Sequence, residues 1–132
     1  MTKLLALTAV ALMATSTTAV AGDAAAGEAD FKKCKSCHMI ADGDTDIVKG
    51  GKTGPNLFGI VGRTAGTSEG FKYGDSIVAA GAAGLVWTEA LIVEYVADPK
   101  AFLSDRLGES AKSKMTFKLK DGADIAAYLA SF

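Results

Sequence analysis

The sequence predicts one all-α domain, several helices joined by long loops that wrap around something other than protein. Three observations carry that class. Apolar residues recur at helical spacing in separate stretches, most clearly at Ile125, Tyr128, Leu129 and Phe132. No stretch shows convincing strand alternation. Residues 41–70 hold eight glycines and little periodicity, a connection longer than a compact domain ordinarily tolerates without secondary structure of its own. Such a segment orders only around a core that the protein itself does not supply, and a large apolar cofactor would serve. The 132 residues allow a single domain.

Taken in order, the chain opens on a segment that is not part of the fold. Lys3 forms a positive start, Leu4 to Met13 an apolar run, and Ala19-Val20-Ala21 a small-residue cleavage site, the pattern of a secretory signal peptide. The run is too short to span a bilayer, which takes about 20 residues. Residues 1–21 are therefore read as a cleaved signal and 22–132 as the mature domain, exported to the periplasm. From Asp23 to about Ser36, Gly27, Phe31 and Cys34 keep one helical face, with Asp23 as N-cap and lysines in the last turn. A short helix is expected around Asp75 to Ala80. Thr88 caps a clearer one carrying Leu91, Ile92, Tyr95 and Val96, ended by Asp98-Pro99. The last helix runs from Asp121 to Ser131.

Composition narrows the function. The chain is 49% hydrophobic and 22% charged with a formal net charge of −1, which is globular and lacks the basic excess of a nucleic-acid binder. Two cysteines are too few for a disulfide framework. A single histidine rules out a multi-histidine metal site within one chain. Gly51-Lys52-Thr53 imitates the end of a phosphate-binding loop, but the earlier glycine that motif needs falls on Asp46. Asp42, Asp44 and Asp46 imitate a calcium loop, but Ile47 stands where its glycine should be and Thr53 where its glutamate should be.

The chemistry is concentrated in Cys34-Lys35-Ser36-Cys37-His38, the C-x-x-C-H pattern of c-type haem attachment. Two thiols at this spacing each add to a vinyl group on one porphyrin edge, and the neighbouring imidazole is delivered to the iron. A structural zinc site would need four ligands where the mature chain offers three such residues. A thioredoxin-like dithiol would need a βαβ setting. A Cys34–Cys37 disulfide would leave the long loop without a core. One covalent haem c answers both the motif and the loop.

The second axial ligand follows by elimination. His38 is the only histidine, and the mature chain keeps only Met39 and Met115. Met39 adjoins His38 and cannot swing to the opposite haem face. Met115 lies among Lys112, Ser113, Lys114 and Thr116, a poor setting for the gap-filling core packing that is the usual work of methionine. His38 and Met115 are thus the expected iron ligands, and a thioether opposite imidazole raises the reduction potential.

With those residues in place, the whole mature chain resembles a class I cytochrome c, most closely the bacterial c2 and c550 group. Gly27, Phe31 and Tyr128 match the family's crossing of its first and last helices. In Thr53-Gly54-Pro55-Asn56-Leu57 the resemblance implies that the Pro55 carbonyl accepts a hydrogen bond from the axial imidazole. It implies Arg63 near a haem propionate, Tyr73 and Trp87 bonded to the propionates, and Tyr95 beside the methionine sulfur. Ser113 stands where the family usually has a hydroxyl, and Phe117 matches the aromatic at the exposed haem edge. Residues 41–50 and Leu103 to Ala111 are longer than in the short mitochondrial pattern. The function implied is one-electron transfer by a monomer, not catalysis, because both iron positions are filled. The partners implied are the cytochrome bc1 complex as donor and a photosynthetic reaction centre or a terminal oxidase or reductase as acceptor. They would dock transiently at a haem edge ringed by lysines such as Lys33 and Lys114.

Overall fold

The structure, a computed structural model, describes residues 21–132; the predicted signal segment lies outside them apart from Ala21. Five helices appear in chain order: α1 (Ala24–Asp30), α2 (Asp75–Ala82), α3 (Glu89–Ala97), α4 (Pro99–Leu107) and α5 (Ala123–Leu129). Among the described residues no helix is long and apolar enough to cross a membrane.

α1 begins where Asp23 accepts hydrogen bonds from the backbone of Ala25 and Ala26, which satisfies donors the first turn leaves open. It tightens into a 3-10 turn over Phe31–Lys33, so the expected single helix to Ser36 ends earlier. α1 crosses α5 so closely that a Cβ on Gly27 would stand 1.9 Å from the Asp124 carbonyl oxygen. Only glycine fits there. Beside the crossing, the Phe31 and Tyr128 rings pack with centroids 5.8 Å apart, and the Asp23 amide donates to the Asp124 carboxylate at 2.8 Å.

Two features depart from the expected layout. The first is an antiparallel hairpin within the long loop, β1 (Ile40–Asp42) and β2 (Thr45–Val48). Gly43, first of the two turn residues, has φ 55, the left-handed conformation that glycine takes at no steric cost. A bulge at Ile40/Ala41 breaks the register, and that break also hides the strand alternation in the sequence. The acidic run Asp42, Asp44 and Asp46 is the exposed rim of this hairpin.

The second is α4. Asp98-Pro99 ends α3, as expected, but it also starts the next helix. Asp98 accepts from the Ala101 amide at 3.0 Å, and Pro99 occupies the first turn, where its missing N–H costs nothing. Gly108, at φ 69, closes the helix. Ser104 then accepts from the Ala111 amide at 3.0 Å, folding the inserted segment back on α4.

The protein core joins Phe31, Ile40, Phe102, Leu103, Ile125 and Leu129 to an aromatic group. Trp87, Tyr95 and Phe102 pack mutually with centroids 5.0 to 5.9 Å apart. Residues 62–65 run against 85–87 through backbone bonds such as Trp87 N–H to Arg63 O at 2.9 Å. The glycine-rich loop is thus secured at both ends, and its middle bounds a cleft.

Candidate functional site

The Cys34-x-x-Cys37-His38 segment forms a tight turn. The Cys34 amide donates to Phe31 O at 2.8 Å, and the His38 amide donates to Cys34 O at 2.9 Å. Against this turn lies the loop 50–54, pressed so close that side chains are excluded. A Cβ on Gly50 would meet the His38 carbonyl at 1.9 Å, one on Gly51 the Ser36 carbonyl at 2.1 Å, and one on Gly54 the imidazole itself at 2.4 Å. The amides of Gly51 and Gly54 donate to Lys35 O and Cys37 O, each at 2.8 Å. In the sequence these glycines are only loop composition; in the structure each lies flush on the motif.

His38 Nδ1 lies 2.8 Å from the Pro55 carbonyl oxygen. A carbonyl can only accept, so Nδ1 carries the proton and Nε2 keeps the lone pair a metal requires. Burial holds the imidazole below its ordinary pKa, with the Pro55 bond pulling the other way. The two thiols differ. Burial pushes Cys34 up, partly offset by Lys33; the hydroxyls of Thr53 and Ser36 draw exposed Cys37 down. Cys37 is therefore the more readily ionised nucleophile. No disulfide joins them.

Cys34, Cys37, His38 and Pro55 line a deep cleft whose walls are Ile60, Ile92, Leu103 and Leu129, and Met115 lines the same cleft. Tyr73, Trp87 and Tyr95 complete it, with Lys33, Lys114 and Phe117 among the lining residues. Ser113 donates to the Met115 carbonyl at 2.9 Å and stands beside the Tyr95 phenol, whose pKa is raised by burial and partly lowered by that hydroxyl. The Tyr73 hydroxyl accepts from the Ser68 amide at 3.2 Å. Arg63 does not line the cleft. Its guanidinium donates to the backbone carbonyls of Asn56 and Phe58, bracing the loop that carries Pro55.

The residues fit a haem. Two thiols, an imidazole with its metal-binding nitrogen unprotonated and a thioether converge on one apolar cleft, and only a glycine at 54 leaves room for the imidazole. Among the described residues no group of three or more His, Cys, Asp or Glu side chains is placed to hold a metal ion.

Asn56 is a residue that sequence reasoning misses. It stands out in the sequence only as the neighbour of Pro55, yet its side chain makes three hydrogen bonds. An amide directly after a Gly-Pro turn was the available signal.

No protein-family model matches the chain. Its sequence is 60% identical to cytochrome c2 of Rhodobacter capsulatus over 125 residues, covering 92% of this chain and 91% of that protein. It is 61% identical to cytochrome c-550 of Paracoccus pantotrophus over 114 residues, covering 83% and 85%. Among solved structures, Rhodobacter capsulatus cytochrome c2 superposes with a TM-score of 0.81 at 62% identity, over 83% of this chain and 97% of that one. Ferric cytochrome c-550 from Paracoccus versutus does so with a TM-score of 0.79 at 56% identity, over 83% and 97%.

Proposed function

We propose that this chain, which belongs to the cytochrome c2 and c-550 group of class I cytochromes c and carries one covalently bound haem c, is a soluble periplasmic one-electron carrier. In this reading Cys34 and Cys37 hold the haem as thioethers, and His38 and Met115 are its axial ligands. The haem supplies the ferric–ferrous couple. The chain does the rest. Pro55 orients His38 and strengthens it as a donor, while the thioether of Met115 favours the ferrous state. Apolar walls keep water from the iron. With both ligands held in a packed cleft, no position is left for substrate, which is why the protein is read as a carrier and not an enzyme.

Electrons would come from the cytochrome bc1 complex and pass to a photosynthetic reaction centre or to a terminal oxidase or reductase. Docking would occur at the cleft edge near Lys33, Lys114 and Phe117. Phe117 is 46% exposed, a large apolar group at the rim suited to a short-lived contact of small area. Neither lysine is without a partner: Lys33 pairs with Asp30 at 3.0 Å, and the Lys114 ammonium donates to Lys72 O at 2.9 Å. A carbonyl leaves the charge of Lys114 intact, whereas a carboxylate offsets that of Lys33. Lys114 is therefore the stronger steering charge.

The observation that carries the proposal is that Met115 shares one apolar cleft with the attachment motif. Carbon monoxide added to the reduced protein tests it. The wild-type optical spectrum should not change, whereas Met115→Ala should bind carbon monoxide at once and lose about 0.1 V or more of potential. Prompt binding by the wild type would overturn Met115 ligation.

A further inference from the structure

The hydrogen bond between His38 and Pro55 joins two segments that are far apart in sequence and must be held in register. The residues just after His38 form β1, and those just after Pro55 run beside it. The Leu57 amide donates to Met39 O at 3.0 Å. Asn56 Oδ1 accepts from the Ala41 amide at 3.0 Å, and Asn56 Nδ2 donates to the Ala41 carbonyl at 2.8 Å. The reciprocal pairing settles which end of the amide is which, since Ala41 N–H requires an oxygen and Ala41 C=O a nitrogen. Oδ1 also takes the Phe58 amide at 3.1 Å, so one side chain ties its own loop and the strand together. Ala41 is buried at 4% exposure. Without Asn56 its two backbone groups would lose their partner in a place poor in water.

We propose that Asn56 is a positioning residue for the axial ligand: by acting as an extra rung beside β1, its amide fixes the Pro55 carbonyl in line with His38 Nδ1. The inference rests on the reading of His38 as iron ligand. Its chemical consequence has a definite sign. A well-aligned carbonyl draws the Nδ1 proton, makes the imidazole a stronger donor and favours the ferric state. Loosening that alignment favours the ferrous state.

The test uses the haem-loaded protein. In ferric wild type, a paramagnetic shift of the His38 ring protons in the NMR spectrum establishes ligation; its absence would refute the ligand reading itself. Asn56→Ala should then speed solvent exchange of the His38 Nδ1 proton at least tenfold. It should also move the ferric–ferrous equilibrium about threefold toward ferrous, near 30 mV for one electron. If that variant fails to mature, Asn56→Ser, neutral and still able to accept one amide, should move both readings in the same direction. Ser104→Ala, which cuts the distant tie to Ala111, serves as a control for lost stability alone and should leave both readings at wild-type values. Wild-type exchange and potential in a folded Asn56 variant, with the paramagnetic shift intact, would overturn the positioning role while leaving the haem ligation standing.

Discussion

The two ends of the candidate ligand axis are built by different means. His38 sits in backbone. Three glycines press loop 50–54 against its turn, a main-chain carbonyl holds its Nδ1, Asn56 ties that carbonyl's loop to β1, and Leu57 ties it to Met39 just before β1. Met115 sits on a strap held largely by side chains at the surface. The Lys112 amide donates to the Ser76 hydroxyl at 3.0 Å, Lys114 reaches Lys72 O, and Lys118 pairs with Asp98 at 2.6 Å with both partners exposed. One main-chain bond, Leu119 N–H to Val96 O at 2.7 Å, adds to these. Backbone contacts at sub-van der Waals clearance for any Cβ cannot yield by rotamer change, whereas exposed ion pairs contribute little and weaken in salt. The difference teaches that the proposed ligand pair should open on the methionine side.

The largest way to break the comparison is Gly54→Ala. Its Cβ would lie 2.4 Å from the imidazole carbon, so the ring or the loop must move, at about 1–3 kcal/mol for overpacking or more. Thermal unfolding should fall accordingly, together with the yield of haem-loaded protein. An unchanged yield and melting temperature would show the histidine side to be as compliant as the other.

Next in size is the electrostatic effect at the proposed docking edge. Lys114→Gln should slow reaction with the bc1 complex about threefold or more and flatten its salt dependence. Lys33→Gln should do less, because Asp30 already offsets that charge. Stopped-flow rates across ionic strength decide it, and equal salt slopes for the two variants would remove the distinction between them.

The smallest effect concerns pH. Lys118 and the Ala101 amide hold the exposed Asp98 carboxylate below its ordinary value. A group with a depressed folded pKa stabilises fully above its unfolded value, about 3.9 for Asp, and loses that contribution as pH falls through the lower folded value. The fraction of ferric protein in which Met115 has left the iron, read from the optical spectrum with no added ligand, should therefore rise modestly as the solution is taken below about pH 4. Asp98→Asn keeps an N-cap for α4 and should abolish that rise. A rise of the same size in the variant would show that the strap does not depend on this pair.

Much of the site was legible without coordinates because its signals are local. C-x-x-C-H is five adjacent residues, and Met115 followed from scarcity. Asp23 and Thr88 announce their helices because a capping side chain acts within three residues of itself. Residues whose role is set by distant neighbours were harder. Arg63 braces two carbonyls five and seven residues before it, a contact nothing adjacent in the sequence announces. The Asp98-Pro99 pair reads equally as a stop and as a start, and only the Ala101 amide on Asp98 distinguishes the two. The hairpin was hidden because a bulge spoils its alternation.

By itself, then, the sequence determined the attachment motif, the pair of candidate ligands, the mainly helical class and the capped starts of α1 and α3, since each depends on residue identity within a few positions. Tertiary structure alone decided which glycines are obligatory, that Asn56 bonds Ala41 of β1, and that one candidate ligand is set in backbone while the other hangs on a strap. Those properties arise from close approach between segments distant along the chain, where a clearance of an ångström separates a tolerated side chain from a forbidden one.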